Sequence, residues 1–163
     1  MESKVYANKG WQHIGQVPAA GSLYAEGGWC FNVNERAART CNSEGHGYQV
    51  GNYYIIEIAK GDQNYPYSGD QARVGQLIFR VGENGMPESL GLRGIFSGGE
   101  DLWMRINDND SGIADNDGYL TLRFVSATDS AAAALRGTPT NSYGDPIGTQ
   151  YTRNGAGGYD KVR

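Results

Sequence analysis

Apolar and polar positions alternate in several short runs along the chain. In "DLWMRIND" (101–108), Leu102, Met104 and Ile106 fall on one face, with Trp103 and Arg105 on the other. In "GYLTLRFVS" (118–126), Leu120, Leu122 and Phe124 share a face opposite Thr121 and Arg123. A period of two is the pattern of a half-buried antiparallel strand. "KVYAN" (4–8), "GSLYAEGGWCF" (21–31), "YYIIEIA" (53–59) and "VGQLIFRVG" (74–82) are rich in strand formers and predict further strands. "GENG" (82–85) and "SGGED" (97–101) are turn material between them. Six or more such strands predict an all-β fold, an antiparallel β-sandwich. The one helical signal is "SAAAALRG" (130–137), long enough for two turns ending at Gly137.

Composition supports this. Of 163 residues, 25 are glycine and 11 tyrosine, as many turns between β-rich runs require. From Ala127 onward apolar anchors become sparse and Gly, Thr, Asn and Pro dominate. A segment of that kind does not fold alone. The expected organisation is a sandwich over 1–126 and an irregular, Gly-rich C-terminal tail over 127–163. Tyr143, Ile147, Tyr151, Tyr159 and Val162 are scattered anchors along the tail, so it is expected to pack on a neighbouring subunit or partner.

Charge and hydropathy narrow the classes. The formal net charge is −4 and no long basic run occurs, which argues against a nucleic-acid partner. No apolar stretch is long enough for membrane insertion. "MESKVYANKGWQH" has no apolar signal core, so the expectation is synthesis in the cytoplasm and an extracellular or particle-associated place reached by lysis or packing. The two cysteines, Cys30 and Cys41, read either as ordinary thiols or as a disulfide. With His13 and His46 the only histidines, a four-ligand zinc site is not expected.

The densest chemistry is "INDNDSGIADNDG" (106–118), which holds Asp108, Asp110, Asp115 and Asp117 with Asn107, Asn109 and Asn116. It joins the two best strands, and read as a hairpin it is far longer than the two to five residues a hairpin loop needs. Hard oxygens in a flexible loop suit Ca²⁺, which takes six to eight of them. A solvated turn uses the same residue types. An EF-hand started at Asn107 fails, because its twelfth position is Gly118 where a bidentate Glu is needed.

The spacing of Asn107-Asp108, Asp115-Asn116 and Gly118 resembles the calcium loop of the galactose-specific, calcium-dependent bacterial lectins. "VYANKGWQ", "LYAEGGWCFN" and "GDQNYP…VGQLIFRVG" are more loosely similar to other parts of that family, so the likeness spans about residues 4–126. The resemblance implies a jelly-roll-like sandwich that binds one Ca²⁺, with two sugar hydroxyls completing its coordination. It implies side-chain ligands at Asp108, Asp115 and Asn116 and carbonyl ligands at Asn32 and Gly112. Asp115 stands where the best-known members carry a neutral Asn, which should tighten cation binding. For the sugar it implies Asp108, Asn109 and Asp115 at the metal, and Tyr65 and Ser68 where the family places His and Gln. That replacement departs from galactose recognition. The segment 32–52 is also longer than the family pattern and is placed to cover or remodel the site.

Three functions follow as expectations: a non-enzymatic lectin-like module working as a homo-oligomer or larger assembly; a structural subunit of a virion or fibre using the sandwich as scaffold; and an enzyme. For the last, Glu57 and Asp101 are available carboxylates, but no nucleophile or His-Asp pairing stands out and no catalytic residue is assigned. Trp11, Trp29 and Trp103 read as core or interface, Arg105 and Arg123 as lining a solvated face, and His46 as a loop residue.

Overall fold

The computed structural model describes residues 1–47, 49–50, 53–54, 56–129, 151–153 and 159–161. The strands, in chain order, are β1 (Lys4–Tyr6), β2 (Gln12–Gln16), β3 (Gly21–Glu26), β4 (Trp29–Cys30), β5 (Thr40–Cys41), β6 (Gln49–Val50), β7 (Tyr53–Tyr54), β8 (Leu77–Val81), β9 (Glu88–Ser89), β10 (Arg93–Phe96), β11 (Asp101–Ile106), β12 (Asp117–Ser126), β13 (Tyr151–Arg153) and β14 (Tyr159–Lys161). All pairings are antiparallel, and the protein is an all-β sandwich.

One sheet runs β10-β3-β12-β4-β5, with β1 also paired to β12, and the other runs β2-β11-β8-β9. Their inward positions form a single core. Val5, Leu23, Leu120 and Leu122 come from the first sheet, and Ile14, Leu77, Leu102, Met104 and Ile106 from the second. The alternation in the sequence is therefore the alternation of core and outer face. Trp29 belongs to this core, and its indole N–H donates to the Gly75 carbonyl at 2.7 Å. Gly75 has φ of +87°, and a Cβ there would lie 2.5 Å from the Cys41 sulfur, so the position requires glycine.

Several expectations need correction. β11 and β12 are not hairpin partners: they lie in different sheets, and the 107–116 connection crosses from one sheet to the other. Its length is that of a crossing. Among the described residues of the predicted strand over 53–59, strand pairing is limited to β7 and an isolated bridge between Ile58 and Arg73. Ile58 is 64% exposed, so this part of the run does not face the core. Of the two readings left open for the cysteines, the structure agrees with thiols: Cys30 and Cys41 are free and buried. They sit opposite Thr40 and Trp29 in the β4–β5 register, one position out of step, so their side chains leave opposite faces of the pair. In the tail, expected to be irregular, β13 and β14 pair with each other. The predicted helical turns over 130–137 and the anchors Tyr143, Ile147 and Val162 lie outside the described residues.

Candidate functional site

The crossing loop starts from Arg105. This residue, expected on a solvated face, is buried. Its guanidinium donates to the carbonyls of Ile106 at 3.0 Å and Asp108 at 2.9 Å, and to the Asp110 carboxylate at 2.7 Å. The loop thus closes round a charge that its own oxygens satisfy, which is why a polar residue on the outer face is dry. Arg123 keeps the expected exposed position and pairs with Glu26.

Asn107 is a staple. It is fully buried; its amide nitrogen donates to the Tyr67 and Arg73 carbonyls, and its amide oxygen accepts from the Tyr67 N–H. Its backbone N–H and C=O bond Gln76 and Gly75. The end of β11 is thereby fixed to the 65–76 segment.

The four aspartates separate into two kinds. Asp110 is held by Arg105, and Asp117 by Arg36 at 3.0 Å on the exposed rim. Asp108 and Asp115 have no arginine ion pair among the described residues. They line a cavity of about 190 Å³ together with Phe31, Asn32, Arg39, Glu57, Asn109 and Gly112. Asn32, distant in sequence, arrives because β4 pairs with the start of β12, Cys30 opposite Asp117 and Trp29 opposite Gly118. Four of the five positions implied as metal ligands therefore share one cavity.

The fifth, Asn116, is tied to that cavity through Asp108. Its amide nitrogen donates to the Ala7 carbonyl at 3.0 Å and to Asp108 Oδ2 at 2.8 Å. With both hydrogens committed, the orientation of the amide is set by the network. Its Oδ1 is buried and has no hydrogen-bond partner among the described residues. An unsatisfied buried acceptor costs about 1–3 kcal/mol. Asp108 Oδ1 accepts from the Asn109 N–H at 2.9 Å. Burial pushes the Asp108 carboxyl pKa up and Asp115 adds to this, against the Asn116 and Asn109 hydrogen bonds and the Arg105 charge.

Asp115 ends a 3-10 turn, Ile113–Asp115, whose N-cap is Gly112. A Cβ on Gly112 would lie 2.9 Å from Asn109 Oδ1 and 3.6 Å from Asp108 Oδ1. The cradle has room only because position 112 lacks a side chain. Asn32 opens a second 3-10 turn, Val33–Glu35; its side-chain oxygen accepts from the Asn34 N–H and its carbonyl from the Glu35 N–H.

Of the residues implied for sugar contact, Asp108, Asn109 and Asp115 line the cavity. Tyr65 stands within electrostatic reach of it. Burial raises its phenol pKa first, Asp108, Glu57 and Asp62 add to this, and the Asn109 side chain lowers it. Ser68 does not line the cavity; its carbonyl accepts from the Gly61 N–H at 2.8 Å and closes the 61–68 loop.

Arg39 and Glu57 were not assigned to the site from the sequence. Arg39 comes from the long 32–52 segment. Its Nε donates to Glu35 at 3.1 Å, one of its terminal nitrogens meets Glu57 at 2.5 Å, and its guanidinium lies 5.8 Å from the centre of the Phe31 ring. The four-residue step from Glu35 to Arg39 was the available signal.

Among the described residues no three His, Cys, Asp or Glu side chains gather as a metal cluster. The donor set here is different: two carboxylates with amide and carbonyl oxygens, the hard-oxygen mixture that suits calcium rather than zinc. Compared with protein-family models and with curated proteins, the chain matches none.

Proposed function

We propose that the protein is a non-enzymatic, calcium-dependent carbohydrate-binding module built on a jelly-roll-like sandwich. The observation that carries this is the buried, partnerless Oδ1 of Asn116, hydrogen-bonded through its own amide to a buried Asp108 whose pKa is raised. An orphan oxygen beside a desolvated carboxylate is a costly arrangement that a cation relieves. The Gly112 cradle and the two carboxylates without arginine partners support the same reading.

The side chains of Asp108, Asp115 and Asn116 and the carbonyls of Asn32 and Gly112 would hold Ca²⁺. Bound there, the ion supplies open coordination positions for neighbouring sugar hydroxyls; five protein oxygens leave roughly one to three of its six to eight places. Asp108 and Asp115 also accept hydrogen bonds from those hydroxyls, Asn109 adds an amide, and Tyr65 offers an aromatic face to the apolar side of a sugar ring. Single sites of this kind bind weakly, and assembly through residues 127–163 would raise avidity on a glycan-coated surface.

A glycan array probed with the intact protein, in calcium and in chelator, tests this reading. Binding that disappears in chelator is expected. Binding that is absent in both conditions, or the same in both, overturns it.

A further inference from the structure

We infer that Glu57, positioned by Arg39, reads a sugar hydroxyl beyond those that meet the cation, and that the site therefore takes neutral pyranoses and refuses their uronic-acid counterparts. The inference rests on the calcium-dependent reading above and adds the ligand class.

Glu57 lines the same cavity as Asp108 and Asp115, and its side chain is 41% exposed, enough to meet a ligand. Arg39 engages its Oε1; Oε2 has no partner among the described residues. That leaves one carboxylate oxygen, held by the Arg39 contact to the other, as an acceptor for a hydroxyl. Hydrogen bonds to a carboxylate are among the stronger ones, and a site built to bond a hydroxyl disfavours a ligand that lacks it.

Arg39 is the positioning residue. Glu35 holds its Nε, Glu57 its terminal nitrogen, and the Phe31 ring lies beside its plane. The single positive charge of Arg39 already faces two carboxylates, so a third would not find it an unpaired cation. The cavity wall carries three carboxylates (Glu57, Asp108 and Asp115) against one guanidinium. A sugar carboxylate would add charge that nothing in the wall is left to balance, close to Glu57, where like charges repel. The volume, about 190 Å³, is below the roughly 300–1,000 Å³ of pockets for drug-sized ligands and suits one ring.

The test is calorimetric titration of the full chain in calcium with two matched pairs: methyl galactoside against methyl galacturonide, and methyl glucoside against methyl glucuronide. Wild type should bind the neutral member of a pair about tenfold or more tightly than the acid, the scale of one charged hydrogen bond. Glu57→Gln should weaken the neutral sugar about tenfold and bring the acid close to it. Arg39→Met should move both quantities the same way, and Arg39→Lys, which keeps the charge, should restore part of the selectivity. A calcium-induced rise in melting temperature should persist in all three variants, which also reports that they fold. If wild type binds in calcium without preferring the neutral member, or the variants match wild type, this inference is wrong and the calcium-dependent reading stands. A variant that loses the calcium shift also overturns it, by placing Glu57 or Arg39 in the support of the metal site. If wild type binds none of the four glycosides in calcium but the array shows chelator-sensitive glycan binding, the inferred ligand class alone is wrong; no chelator-sensitive binding in either assay removes both.

Discussion

Asn116 donates a hydrogen bond of 2.8 Å to Asp108, across a loop that carries the chain from one sheet to the other. The bond fixes the carboxylate and, because the same amide also bonds Ala7, turns the Asn116 oxygen into a buried acceptor with no partner. Both residues are in a state that a cation improves. Calcium should therefore stabilise the fold, by about 2.7 kcal/mol at a hundredfold excess over Kd, or about 5–10 °C in melting temperature. Asp108→Asn should reverse the order of the two proteins between conditions: at least as stable as wild type in chelator, less stable in calcium. Melting curves in both buffers check this, and a wild type indifferent to calcium would sink the metal site.

The same carboxylate predicts a pH signature. Burial raises the folded pKa of Asp108 above its ordinary 3.8. Between those two values the folded protein holds more protons than the unfolded chain, so stability falls as pH rises through that window. Asp108→Asn removes that fall, and the difference between the two proteins isolates it from Glu44, whose pKa burial also raises, and from Asp70 and Glu100, whose shifts run downward. In chelator, wild type should lose stability relative to Asp108→Asn from about pH 4 upward. In calcium the relative slope should change sign, because the ion favours the ionised form. Parallel pH profiles for the two proteins in chelator would refute the assignment.

Part of this was legible in the sequence. The period of two in β11 and β12 reports one-sided burial, and Leu102, Met104, Ile106, Leu120 and Leu122 are core as read. Such a pattern shows which face is buried but not which strand is the neighbour, so two strands adjacent in sequence were paired although they belong to different sheets. Arg105 has the same origin: alternation places it outside, while its burial comes from loop carbonyls that fold back on it. The resemblance to the lectin calcium loop pointed to Asn32, Asp108, Gly112 and Asp115, which line one cavity. Arg39 offered only its four-residue step from Glu35, and Glu57 lay in a run read as strand; neither pointed to the cavity, because the two meet only in three dimensions.

Asn107 should matter for stability more than its place in a loop implies. Asn107→Ala removes three hydrogen bonds, to the Tyr67 N–H, the Tyr67 carbonyl and the Arg73 carbonyl, in a fully buried setting. The expected loss is about 2–4 kcal/mol. Urea denaturation should show a lower midpoint with an unchanged slope. A loss under about 0.5 kcal/mol, the range of ordinary surface changes, would mean that water replaces the staple.

The proposed assembly role of residues 127–163 has its own test. β12 runs through Ser126, and the Ala127 N–H bonds the Ala20 carbonyl, so the earliest harmless truncation is after Ala127. Ordering backbone costs about 1–2 kcal/mol per residue, which a tail poor in apolar anchors recovers only by packing on something larger. The truncated protein should keep its calcium-dependent melting and sediment as a smaller species than the full chain. Equal association states for the two would remove the assembly role and leave the binding site untouched.

Gly112→Ala separates the cradle from the fold. The backbone at Gly112 has φ of −104°, open to any residue, so alanine brings no backbone strain. What it brings is a methyl group 2.9 Å from Asn109 Oδ1 and 3.6 Å from Asp108 Oδ1. The first contact forces the Asn109 side chain or the 109–112 turn to move, and that turn also holds the Gly112 carbonyl proposed as a ligand. In chelator the variant should melt within about 2–4 °C of wild type, as a change of roughly 1 kcal/mol does in a chain of this size. In calcium its stabilisation should be smaller, because affinity for the ion falls while the fold does not. Calcium titration by calorimetry reads the affinity directly. Unchanged affinity would show that the ion, if bound, does not use this turn, and would move the ligand set away from Gly112.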